Sequence, residues 1–210
     1  MVPLSEIISR TRTRFEQESS VRWSDSDIAD SINEGLDELS EATEFYERYV
    51  VIPLRAGRTY YDIRGFLPEN ALGVTAVWCT TTSRWLYPTR AETLKYPQWE
   101  RTTGPPESFF LRGVFRLGIH PKVNADSGFL RVHFFGLAPH LDHPQAVLAD
   151  LPDDYIPALE DYVLYDLQSN DGEVEKGLIH WASYREREKS LGSFVEKRIV
   201  RPRTFRLGGG

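Results

Sequence analysis

Two strongly helical stretches, residues 4–49 and 154–192, enclose a middle that is punctuated by Pro and Gly and rich in aromatic and β-branched residues. Amphipathic helices do not bury their apolar stripes alone, so the first pair is expected to pack on the last pair and leave the middle as an insertion. The chain therefore reads as α+β. An N-terminal helix pair (1–49) and a C-terminal helix pair (153–193) form a helical bundle. Between them lies an inserted antiparallel β-rich region (50–152), and an extended C-terminal arm (194–210) follows.

In the first helix, expected over 4–18, Leu4, Ile7, Ile8, Thr11 and Phe15 recur at helical spacing, and Pro3 suits the first turn, where its missing N–H costs nothing. The second helix has the strongest start signal. Ser24 and Asp27 stand at capping-box spacing, and Trp23 and Ile28 occupy the two hydrophobic-staple positions. Beyond it, Ile28, Ile32, Leu36, Leu39, Thr43 and Tyr46 fall on one face, while Asp27, Asp30, Glu34, Asp37, Glu38 and Glu41 fall opposite as an acidic stripe.

In the middle, Val50–Leu54 and Thr59–Ile63 flank Arg55-Ala56-Gly57-Arg58 and read as a β-hairpin. Further strands are expected at 74–82, 84–87, 108–112, 114–119 and 128–135, with a short helix at 89–99. This spacing predicts a small antiparallel sandwich or partly open barrel. Pro139, Pro144 and Pro152 mark 136–152 as a connector. In the last helix pair, Tyr155, Leu159, Tyr162, Val163 and Leu167 form one apolar face. Asn170-Asp171-Gly172 is the turn, and Val174, Leu178, Trp181, Ala182 and Arg185 open the returning helix.

Apolar runs fall short of the roughly 20 residues of a membrane span, and the first residues lack a signal-peptide pattern, so no membrane partner and synthesis in a cytoplasm are expected. Cys79, the only cysteine, lies in a strand-like stretch and reads as a buried inert thiol. The net charge of −6 argues against a general nucleic-acid binder, though not against a protein that DNA passes. After Gly192, five basic residues stand against one acid among alternating apolar residues up to Leu207, a composition suited to ordering on a partner.

Signals of catalysis are weak. His133, His140 and His143 cluster in sequence but not on one helical face, so a metal site is not expected. The phosphate-binding Gly-rich loop and the nucleophile elbow are both missing. Asp25/Asp27 and Asp153/Asp154 sit at helix starts, where carboxylates cap. No catalytic residue, metal or cofactor is assigned. Trp78, Trp85 and Trp99 with the neighbouring tyrosines offer a sugar-stacking platform, which makes a carbohydrate-binding module the main alternative and a metal-dependent enzyme a more distant one.

Three segments carry a family resemblance: Arg22-Trp23-Ser24-Asp25 leading to Ile32-Asn33-Glu34-Gly35; Leu151-Pro152-Asp153-Asp154-Tyr155 leading to Ala158 through Tyr165; and Asp171-Gly172-Glu173-Val174-Glu175-Lys176. In these the chain resembles the head–tail adaptor, or connector, proteins of tailed bacteriophages. The resemblance covers the helical ends and leaves the β-like insertion open. It implies a non-enzymatic virion protein of the phage neck that forms a ring, commonly twelvefold, below the portal protein, joins it to tail or neck proteins, and surrounds a channel through which DNA passes during genome ejection. On that reading Phe194, Lys197, Arg198, Arg201, Arg203, Phe205 and Arg206 of the arm contact the portal or a neighbouring subunit. The acidic residues Glu34, Asp37 and Glu41 either line the channel or meet a basic neighbour.

Overall fold

The computed structural model describes residues 1–18, 23–91, 94, 98–198 and 205–206. Helices and sheets segregate into two compact units. The helical unit combines Met1–Tyr46 with the chain from Leu137 through the last helix; the β unit is Glu47–Gly136 joined by a short C-terminal strand.

Four helices share one core in the helical unit: α1 (Leu4–Glu18), α2 (Asp25–Thr43), α3 (Ile156–Asn170) and α4 (Val174–Arg198). Ile7 and Phe15 of α1, Ile28, Ile32, Leu36 and Leu39 of α2, Leu159, Val163 and Leu164 of α3, and Tyr184, Leu191 and Val195 of α4 are all buried in it. The start of α2 follows its sequence signals. Ser24 Oγ accepts from Asp27 N–H at 3.1 Å, Asp27 Oδ2 accepts from Ser24 N–H at 2.8 Å, and Trp23 packs against the cluster that contains Ile28.

The connector belongs to the helical unit rather than to the insertion, so the division falls after Gly136 instead of Pro152. Its polar backbone explains why. Pro144 and Ala146 carbonyls accept from the otherwise orphaned N–H groups of Ser5 and Leu4 at the start of α1. On α2, Asn33 Oδ1 accepts from Leu141 N–H at 2.8 Å and Ser40 Oγ from Ala138 N–H at 3.2 Å, so the connector covers a second side of that helix.

One further expectation for the last helices is corrected. The returning helix does not end at Gly192 but runs to Arg198, because Leu191 and Val195 are buried and Phe194 meets Tyr155 with ring centroids 5.8 Å apart. Along α4, Gly177, Tyr184, Glu188, Leu191 and Val195 face inward, and Val174, Leu178 and Ile179 are exposed. Gly177 permits a close approach of α3. A Cβ there would lie 3.0 Å from the Tyr165 carbonyl oxygen and 2.7 Å from Ser169 Oγ, so α3 and α4 come close at a residue without a side chain.

In the β unit the strands are β1 (Glu47–Pro53), β2 (Tyr60–Asp62), β3 (Ala71–Cys79), β4 (Arg84–Trp85), β5 (Tyr87–Pro88), β6 (Ser108–Leu111), β7 (Arg116–His120), β8 (Phe129–Gly136) and β9 (Phe205–Arg206). One sheet has the order β1-β8-β3-β4, with β9 also on β3; the other has the order β2-β7-β6-β5. Both contribute to one core, with Ile52, Val77, Cys79 and Val132 from the first and Tyr61, Phe109, Leu117 and Ile119 from the second. The expected hairpin of 50–54 with 59–63 does not form. β1 pairs with β8 and β2 with β7, and the Arg55–Arg58 turn becomes a corner between sheets. Gly57 N–H donates to the Val123 carbonyl and Ala56 N–H to Asp126 Oδ1, which turns the chain away from its local partner. The sheets are also not wholly antiparallel, since β5 and β6 run parallel. Of the helix expected at 89–99, residues 92–93 and 95–97 lie outside the described residues; Thr89, Arg90 and Leu94 are not helical, and Trp99 opens a 3-10 turn, Trp99–Arg101.

Candidate functional site

Docking of the connector narrows the acidic stripe of α2. Asn33, Asp37 and Ser40 lie at helical spacing under it, and Asp37 Oδ2 is 2.9 Å from His140 Nε2. Asp37 is thus engaged within the unit, while Glu34 and Glu41, with Asp30, remain exposed along one edge. Glu38 is half-buried against α4, with Arg185 at 4.0 Å; burial first, and the neighbouring Glu188 and Glu41 next, push its carboxyl above the ordinary range. Burial likewise pushes the Tyr162 and Tyr184 hydroxyls up.

The residues expected in an extended arm divide into three groups. Phe194, Lys197 and Arg198 are in α4, and Phe194 packs on the helical core, so it anchors the helix rather than a free arm. Arg201 and Arg203 lie outside the described residues. Phe205 and Arg206 form β9, whose backbone pairs antiparallel with Val74 and Gly73 of β3.

A second surface is the outer face of the larger sheet. Tyr49, Val51, Trp85 and Phe129 are exposed there. Register places Tyr49 opposite His133, and Trp78 opposite both Arg131 and Trp85. The rings meet edge-on: Trp78 and Trp85 at 77°, Trp85 and His133 at 66°. Such a herringbone is rougher than the flat platform a sugar ring stacks on, and suits contact with protein side chains. His133, on the interior strand β8, has its Nδ1 3.1 Å from Glu47 Oε1.

The third surface was not legible as a site. Arg64, Arg112 and Arg116 line a cavity of about 430 Å³ together with Asp62, Val114 and Phe115. The signal that was available is modest: Arg64-Gly65 and Arg112-Gly113 are turn dipeptides, with Gly113 at φ 68°, and only the sheet brings the two turns together.

The three histidines that cluster in sequence each have a local partner. His133 is held by Glu47, His140 by Asp37, and His143 Nδ1 accepts from Gln145 N–H. Among the described residues no three His, Cys, Asp or Glu side chains converge to hold a metal ion. Nor is any described helix long and apolar enough to cross a membrane. Of the paired acids, Asp27 caps α2, and the hydrogen bonds from Ser24 hold its carboxyl below the usual range; Asp25 pairs with Arg12.

The motif residues of the helical ends prove to be joints. Asn33 fastens the connector, and Gly35 lets Tyr162 of α3 pack against α2, since a Cβ there would stand 2.6 Å from the Tyr162 ring. Compared with known proteins, the chain matches the family model described as SU10 adaptor protein over residues 2–204, a span that takes in both units. A search of curated proteins finds no match. The chain belongs to the SU10 adaptor protein family, a family of phage head–tail adaptors.

Proposed function

We propose that this SU10-family adaptor assembles into a closed ring, twelvefold in the simplest case, beneath the portal of a tailed phage, linking the capsid to tail or neck proteins around the DNA channel. Its role is structural and non-catalytic. The observation that carries this reading is the extent of the family match, which includes the helical unit and the inserted sheets alike and so makes the whole chain an adaptor module. Exposed apolar groups on both units support it: Val174, Leu178 and Ile179 on α4, and Tyr49, Val51, Trp85 and Phe129 on the sheet face. Clusters of that kind are typical of surfaces that partners cover. A net charge of −6 suits a conduit that DNA traverses without adhering.

The test is direct. Purified protein is examined by mass photometry and negative-stain imaging, alone and with portal rings. A closed ring that docks on the portal is the expected result, and a monomer that leaves the portal bare under all conditions overturns the reading.

A further inference from the structure

Among the charged groups that form no ion pair with a described residue are three clustered guanidiniums of the β unit and three carboxylates along one helix of the helical unit. The guanidiniums are those of Arg64, Arg112 and Arg116 at the 430 Å³ cavity. All three lie over aromatic rings: Arg64 is 5.0 Å from the Phe115 centroid, and Arg112 and Arg116 are 6.0 and 5.7 Å from that of Tyr60. These cation–π contacts hold the guanidiniums at the surface, and a guanidinium can recognise a carboxylate in bidentate fashion. Arg112 donates one N–H to Tyr60 Oη at 3.3 Å, and that hydroxyl in turn donates to Glu100 Oε1 at 2.6 Å. Asp62, opposite Arg116 in register, is the one carboxylate in the lining, and its Oδ1 accepts from Arg64 N–H. The pocket therefore keeps an excess of positive charge in a chain whose total is −6.

The complement stands on α2. Asp30, Glu34 and Glu41 are exposed along one edge of the helix, with Glu34 and Glu41 separated by about 10 Å of helical rise. One surface is net basic, with three guanidiniums against the single carboxylate of Asp62, the other is acidic, and they lie on different units.

We infer that the arginine pocket of one copy receives the Glu34/Glu41 edge of α2 from a second copy. The inference rests on the ring reading above and deepens it. Because the two surfaces are different, the contact is head-to-tail, the type of interface that builds rings, and its charge complementarity sets the register between neighbours. The acidic edge is then an intersubunit surface rather than a channel lining. Duplex DNA is the poorer occupant. Phosphate binding needs an extended basic track, whereas this pocket is a single opening that also contains Asp62, Val114 and Phe115.

The experiment uses two full-length variants, Arg112→Glu/Arg116→Glu and Glu34→Arg/Glu41→Arg, with far-UV CD showing that each is folded. Mass photometry of either variant alone, at a concentration where the unmodified protein forms rings, should show loss of the ring, because like charges face each other. An equimolar mixture should restore it: the reversed pocket of the first variant meets the reversed edge of the second, and the remaining contacts are of the original sign. Rings that survive both single reversals overturn this contact while leaving the ring reading intact. An unmodified protein that never forms rings overturns the ring reading and the contact with it. Loss without rescue on mixing also overturns the pairing. So does salt-dependent duplex binding that disappears in Arg112→Glu/Arg116→Glu with assembly unchanged, which assigns the pocket to phosphate.

Discussion

Glu38 shows at the residue scale how a helical core tolerates charge. Its carboxylate is pressed between α2 and α4, raised first by burial and then by Glu188 and Glu41, with Arg185 alone opposing them. A carboxyl whose folded-state pKa is raised destabilises the fold in its ionised form. The penalty is absent below the ordinary carboxylate range, grows as pH rises from there, and is complete above the raised value. Glu38→Gln should therefore increase stability at pH 7 and have no effect near pH 3. The gain should be under about 1 kcal/mol, because a third of the side chain is in solvent and screened. Thermal unfolding of both proteins at the two pH values checks this; a gain that persists at pH 3 would point to packing rather than charge.

Between elements, one carboxylate joins three helices. Asp161 of α3, which is 1% exposed, accepts from Arg14 of α1 at 2.7 Å, and from Ser183 at 2.7 Å and Arg187 at 2.8 Å, both of α4. Glu160 beside it also accepts from Arg14, at 3.3 Å. Both oxygens of the buried carboxylate thus accept hydrogen bonds, three in all, which is the condition under which a buried charge can be retained. Asp161→Ala leaves two guanidiniums facing a cavity and should cost about 3 kcal/mol. Arg14→Ala, which leaves Asp161 its contacts from α4, should cost less. Denaturant unfolding of the two variants orders them, and equal losses would mean that Arg14 alone carries the network.

For the whole molecule, the boundary that matters runs through the last helix. The final turns of α4 belong to the helical core through Val195 and Phe194, whereas β9 pairs with β3 of the β unit. Truncation after Arg198 should therefore leave the thermal transition of the helical unit nearly unchanged. Truncation after Gly192 removes Phe194 and Val195 as well and should cost at least about 2 kcal/mol in lost apolar burial. Differential scanning calorimetry of the two truncations separates an assembly tail from the core. Identical transitions would show that the end of α4 contributes nothing to the fold.

Local chemistry was enough to determine the helical elements and their joints. The Ser24–Asp27 capping box, the staple at Trp23, the start of α1 at Leu4 and the Asn170-Asp171-Gly172 turn depend on residues a few positions apart, so adjacent sequence specifies them. The adaptor resemblance was legible for the same reason, because its motifs are caps and close approaches. Tertiary structure decided whatever depends on residues distant in the chain. β1 chose β8, some 80 positions away, over the nearby β2, since a shared core outweighs a local turn. Which side of α4 is buried was decided by its packing on the helical core, and the connector consumed Asp37 while leaving Glu34 and Glu41 at the surface. The arginine pocket is the clearest case: Arg64 and Arg112 are 48 residues apart, and no periodicity relates them until β2 and β6 are joined through β7 in one sheet.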